Sequence, residues 1–230
     1  MGIFDNFESE FAPRSLDDIV FADLQTKHLL IDLIDGNMPF PIREGKCGIL
    51  LYGVPGTGKS ALAKLVPLLI EQAKGGTVAD EEYVRVQSGA NGLKLLQKIS
   101  QRVTTYPLGH FHYIVLDEVD NLNDDAMSVL KSVMNYPNTV WVLATNYLAK
   151  IEAGIRDRCY ELPFNAAAGR LWLPYSRRIL AHAGVEITDD DLLIQVIDSC
   201  NGSARQITQK IVTVALQARR TQSMSSAATA

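Results

Sequence analysis

One loop concentrates the residues whose types and spacing could do chemistry. Gly53, Val54, Pro55, Gly56, Thr57, Gly58, Lys59 and Ser60 fit G-x-x-x-x-G-K-[ST] without a mismatch. Glycines there let backbone N–H groups turn inward around a β-phosphate, where side chains would block the approach. Lys59 would bring a cation to the β- and γ-phosphates, and the Ser60 hydroxyl would coordinate Mg²⁺. A second group lies 58 residues after Lys59, where an apolar run ends in Asp117 and Glu118. Asp117 would hold the Mg²⁺ shell, and Glu118 would polarise an attacking water as general base. A glycine-rich turn or a solvated Asp-Glu pair is commonplace alone. Together in one chain they predict an ATPase site that takes ATP and Mg²⁺.

These residues need strands and helices to hold them. Residues 48–52 (GILLY) read as a buried strand before the loop, and 59–72 as a helix whose first N–H groups point at the phosphates. Residues 83–87 (YVRVQ) alternate with period two, and 113–117 and 140–145 are further strands. Helical spacing appears at 24–34, 91–104 and 124–134. Strands alternating with helices imply a parallel α/β sheet covered on both faces. Beyond Pro163 strand signals vanish, and three helical stretches follow at 168–183, 189–200 and 203–219. Thr188 before Asp191, and Ser203 before Gln206, read as helix starts. The sequence thus predicts an α/β domain over 1–165, an all-α domain over 166–220 and an unstructured low-complexity tail over 221–230.

Composition bounds what else the chain can be. With 230 residues, 47% hydrophobic and 21% charged, it is an ordinary globule and not a disordered chain. Its 22 Lys and Arg against 26 Asp and Glu leave a net charge of -4. Any grip on nucleic-acid phosphates must therefore come from a local basic stripe. Cys47, Cys159 and Cys200 are scattered and form no C-x-x-C pair, which reads as reduced thiols. The start MGIFDNFESE has no signal-peptide pattern, and Asn6 stands where a myristoylation signal wants Ser or Thr. No apolar run approaches the ~20 residues of a membrane span. A cytoplasmic protein away from membranes is expected.

With these motifs in place the sequence resembles the AAA+ ATPases, and among them the clamp-loader small subunits, from about Phe11 to Arg219. The resemblance implies a P-loop parallel five-stranded sheet sandwiched by helices, followed by a small all-α lid. FAPRSLDDIV (11–20) is similar to the leader that lines the adenine pocket, with Ile19 and Val20 as base contacts. DEVD (117–120) resembles the clamp-loader Walker B box, and LATN (143–146) puts Asn146 in the sensor-1 position, where an amide can orient water. IRDRC (155–159) is similar to the Ser-Arg-Cys box with Asp157 replacing the serine. In that register Arg158 is the arginine finger reaching a neighbouring subunit, with Arg156 the other possibility and a plain surface charge the bland one for both. GSAR (202–205) resembles the sensor-2 box and assigns Arg205 to the nucleotide of its own subunit. A finger given in trans implies a homo-oligomer, a ring or spiral.

The same resemblance bears on what the ATPase acts on. Lys94, Lys98 and Arg102 sit at i, i+4 and i+8, with Gln101 near the same face, opposite Leu96, Ile99 and Val103. Such a stripe could follow a DNA backbone without reading bases, or could be a solvated helix face. Residues 88–92 lack the aromatic-hydrophobic-Gly pore loop of protein-threading relatives. Clamp-loader subunits continue into a helical collar that these 230 residues do not include. The leading expectation is a clamp-loader-type motor that remodels DNA or loads a replication protein on it. The alternatives are a helicase loader, a transposition or replication regulator, or a protein-remodelling chaperone without DNA contact. Phe4, Phe7 and Phe11 are read as a core-packed leader, or else a partner-docking helix.

Overall fold

Five short strands build one sheet. A computed structural model describes Phe4 and residues 7–42, 44–89 and 92–227. The expected helix start at 91, residue 90 of the 88–92 segment and tail residues 228–230 lie outside the described residues. The strands are β1 (Gly48–Tyr52), β2 (Asp80–Arg85), β3 (His112–Asp117), β4 (Thr139–Thr145) and β5 (Cys159–Pro163). Their order is β2-β3-β4-β1-β5 and every neighbouring pair is parallel. This is the all-parallel five-stranded sheet that the resemblance implies.

Two compact units divide the chain. One holds residues 23–54 and 59–164, the sheet with helices α2 (Leu24–Asp35), α3 (Lys59–Ala73), α4 (Leu93–Val103), α5 (Asp124–Val133) and α6 (Ala153–Asp157). Side chains alternate along each strand, so the two sheet faces carry different sets. Leu50, Ile114, Leu116, Trp141 and Leu143 meet Leu96, Ile99 and Val103 of α4 and Met127 and Leu130 of α5. Tyr113, on the other face, donates its hydroxyl to Glu71 of α3 at 2.9 Å. Glu71 has no exposed surface and also accepts the N–H groups of His110 (2.8 Å) and Phe111 (3.3 Å). Burial opposes its charge, but the hydrogen bonds from His110, Tyr113 and Phe111 outweigh burial and hold the carboxyl below its ordinary range.

The other unit groups residues 1–22, 55–58 and 165–230. Its helices α7 (Leu173–His182), α8 (Asp190–Asp198) and α9 (Ala204–Ala227) surround Ile179, Leu180, Ile197, Ile207 and Ile211. Phe11, at the end of α1 (Phe7–Phe11), joins the same core, with Phe4 and Phe7 packed against it. The leader thus groups with the helices and not with the sheet as the 1–165 boundary has it, because its aromatic residues find their apolar partners there.

Four local features differ from the sequence reading. Strand β2 begins at Asp80 and ends at Arg85, three residues earlier than the alternation starts. Its acidic opening residues look unlike a strand, but Asp80 and Glu82 are ion-paired with Arg102 of α4. Strand β5 begins at Cys159, the last residue of the arginine box, and carries no separate signal. Helix α9 runs to Ala227, through most of the segment expected to be unstructured. No Gly or Pro follows Gly202, so low complexity alone does not stop it. Asp189, one residue past Thr188, caps α8 by accepting the Leu192 N–H at 3.0 Å. Among the described residues no helix is long and apolar enough to cross a membrane.

Candidate active site

The strand order brings the chemistry together. Neighbours β3, β4 and β1 end side by side, with Tyr52 beside Thr145 and Leu116 beside Leu143. Chain leaving these carboxyl ends supplies the glycine loop, Asp117 with Glu118, and Asn146. Crevices at the carboxyl ends of parallel strands are where such sheets bind ligands.

The loop starts at Gly53, with φ +142, where a Cβ would strike the carbonyl of Phe164. Only glycine tolerates both that backbone and that approach. Lys59, the first residue of α3, is 6% exposed. Its ammonium donates to the carbonyls of Gly53 (2.9 Å) and Val54 (2.7 Å). Desolvation lowers its pKa to about 8, opposed by the charges of Asp117 and Asp120. A phosphate entering the loop would replace two neutral carbonyls as the partner of this cation. Ser60, next on α3, has an exposed side chain.

Asp117 closes β3 and is 7% exposed. One carboxylate oxygen accepts the Glu118 N–H and the other the Tyr83 hydroxyl, each at 3.0 Å. Glu118 adopts the left-handed backbone region, φ 55 and ψ 43, which is strained for a non-glycine residue and turns the chain into a short 3-10 turn. Its carboxylate accepts from Arg85 at 2.6 Å, and that guanidinium holds it below the usual carboxylate range. Glu118, expected from the sequence to be the general base, is therefore held by a cation on the neighbouring strand. Asp120 accepts from the Thr145 hydroxyl at 2.6 Å, and Thr145 in turn accepts the Tyr147 N–H at 2.9 Å. This pins the backbone on both sides of Asn146, whose amide has no hydrogen bond among the described residues.

Arg156 and Arg158 differ in what they hold. Arg156 forms a two-pronged pair with Glu161 at 2.8 and 3.2 Å, and its pKa is raised by that bond. Arg158 donates to the neutral oxygens of Asn135 (2.9 Å) and Gly154 (2.7 Å). The stripe on α4 also divides. Lys94 is exposed, and Lys98 reaches Glu82 at 3.0 Å with three-quarters of its side chain still exposed. Arg102 is taken up by Asp80 and lies 3.6 Å from Glu82, so it does not complete a free basic stripe.

Within the helical unit, Gly56 of the loop meets the start of α9. The Ala204 N–H donates to the Gly56 carbonyl at 2.8 Å, and a Cβ on Gly56 would lie 2.6 Å from the Ser203 hydroxyl. Arg205 follows Ala204 and is exposed. Ile19 is buried, and Val20 packs against the helical core. Asp18 beside them accepts the N–H groups of Arg14 (2.9 Å) and Ser15 (3.1 Å), and also bonds Arg178 of α7.

Sequence reasoning missed Tyr83 and Arg85. The alternation of YVRVQ was a usable signal, since it puts both on the polar face of β2 while Val84 packs inward. Their partners follow only from the register that sets Arg85 beside Asp117.

A glycine loop between strand and helix, an acidic pair closing a neighbouring strand and an amide closing the strand between them define a P-loop ATPase. The family described as ATPases associated with various cellular activities (AAA) matches residues 49–164, and the chain belongs to it. It is 29% identical over 195 residues to replication factor C small subunit 1 of Pyrobaculum arsenaticum, covering 81% of this chain and 56% of that one. With the replication factor C small subunit of Thermofilum pendens it shares 29% over 225 residues, 90% of this chain and 66% of the relative. The chain thus spans little more than half to two-thirds of the length of these relatives. In fold it is similar to the Thermotoga maritima RuvB Holliday junction branch migration motor, with TM-score 0.66, 16% identity, and coverage of 94% and 67% of the two chains.

Proposed function

We propose that the chain hydrolyses ATP in an oligomer, as a clamp-loader-type motor acting on DNA. The observation that carries this reading is the convergence of Lys59, Asp117, Glu118 and Asn146 at three adjacent strand ends. Asp117 and Ser60 offer hard oxygen donors, too few for a protein cage but suited to Mg²⁺ that takes further ligands from phosphates and water. Bound there, Mg²⁺ would neutralise charge on the phosphates. Lys59 would exchange the Gly53 and Val54 carbonyls for phosphate oxygens. Glu118, once Arg85 lets go, would take a proton from the water that attacks the terminal phosphorus, while Asn146 orients that water. Arg205 would face the nucleotide of its own subunit from the start of α9.

The arginine in trans is Arg158 in this reading. Arg156 is neutralised by Glu161, whereas Arg158 has only neutral partners to leave. The replication factor C names of the relatives and the exposed Lys94 and Lys98 support DNA as the substrate. Glu118→Gln should bind ATP normally, lose turnover and accumulate as a larger species with ATP and DNA, read by mass in solution. Wild-type turnover, or a mass that ignores both ligands, contradicts the reading.

A further inference from the structure

Tyr83 and Arg85 face the same way from β2, and each holds one member of the acidic pair. Arg85 goes to Glu118; Tyr83 donates to one oxygen of Asp117 at 3.0 Å while the Glu118 N–H takes the other. The tyrosine ring is itself held, because the Lys64 ammonium of α3 lies 4.2 Å from its centroid. In the β2–β3 register Tyr83 stands beside Val115, two residues before Asp117, so the hydroxyl reaches forward along the strand to the carboxylate. A carboxylate gripped at both oxygens has little freedom to rotate. The direction of its remaining lone pairs is set before any cation arrives, and groups that orient a metal ligand in this way contribute to metal affinity.

We propose that Tyr83 is a positioning residue for the cation that accompanies the nucleotide: it fixes Asp117 in the orientation that ligates Mg²⁺. The proposal rests on the reading of Asp117 as the metal ligand and adds a residue that contacts neither nucleotide nor metal. It involves neither the Glu118 carboxylate nor the water.

Tyr83→Phe removes the hydroxyl and keeps the ring under Lys64. The affinity of the 230-residue chain for a fluorescent ATP analogue is measured in excess EDTA and in excess Mg²⁺. The ratio of the two reports how strongly the protein couples metal to nucleotide. In Tyr83→Phe that ratio falls about tenfold, while affinity in EDTA and the thermal midpoint match the wild type. An unchanged ratio overturns the proposal. An equal loss of affinity in EDTA and in Mg²⁺ also overturns it, since that marks a purely structural role. Asp117→Asn separates the two layers. If it leaves the ratio intact, the metal-ligand reading fails and takes the proposal with it. If it collapses the ratio while Tyr83→Phe does not, only the role of Tyr83 is lost.

Discussion

Arg85 and Glu118 form the pair with the clearest functional consequence at the scale of single residues. A carboxylate must be ionised to take a proton from water, and the Arg85 hydrogen bond and charge hold Glu118 below its ordinary pKa. In the proposed mechanism the same hydrogen bond occupies an oxygen that the attacking water would need. Arg85→Met should therefore have two effects. It frees the base, so basal ATP turnover rises severalfold. It also raises the pKa of Glu118 towards the usual glutamate value, so activity is lost at a higher pH on acidification. The acid limb of a kcat against pH profile measures the shift, and an unmoved limb contradicts the link. Lys59 shows the opposite polarity: burial makes its ammonium easier to deprotonate and leaves it on carbonyls that a phosphate can displace.

At the scale of elements, α4 separates what charge patterning can and cannot tell. The spacing of Lys94, Lys98 and Arg102 was legible as a stripe, but the acidic start of β2 was not legible as its neighbour. Substituting alanine at both Lys94 and Lys98 should weaken DNA binding and reduce the slope of log affinity against log salt by about two, one for each lysine that no longer neutralises a phosphate. Arg102→Ala should leave that slope alone and instead destabilise the fold by about 1–3 kcal/mol, since it strips a partner from buried Asp80. Salt-titrated binding and urea unfolding tell the two apart. The same limit explains other elements. The glycine loop and the Asp117–Glu118 pair could be read directly because their chemistry resides in contiguous residues. Tyr83 and Arg85 could not, because their roles come from a strand register. The strand at Cys159–Pro163 was hidden by the arginine box whose last residue opens it, and α9 outran a tail whose composition permits a helix.

For the whole molecule the account makes hydrolysis a property of two chains at once. In the proposed mechanism Glu118 would activate water in one subunit, and Arg158 would stabilise charge on the transferring phosphoryl group from the next, where a fully used finger is worth about 10³–10⁵ in rate. One chain would then contribute a nucleotide pocket and a separate cation, neither of which would suffice alone. Arg158→Ala removes the finger but keeps the pocket, while Glu118→Gln removes the base but keeps the finger. Each should be nearly inactive by itself. The most direct measurement is the ATP turnover of an equal mixture of these two variants. In the mixture some sites combine an intact Glu118 with an intact Arg158 from the neighbour, so the account predicts turnover well above the sum of the separate variants. A mixture no more active than that sum, with both variants folded and binding ATP, would contradict it.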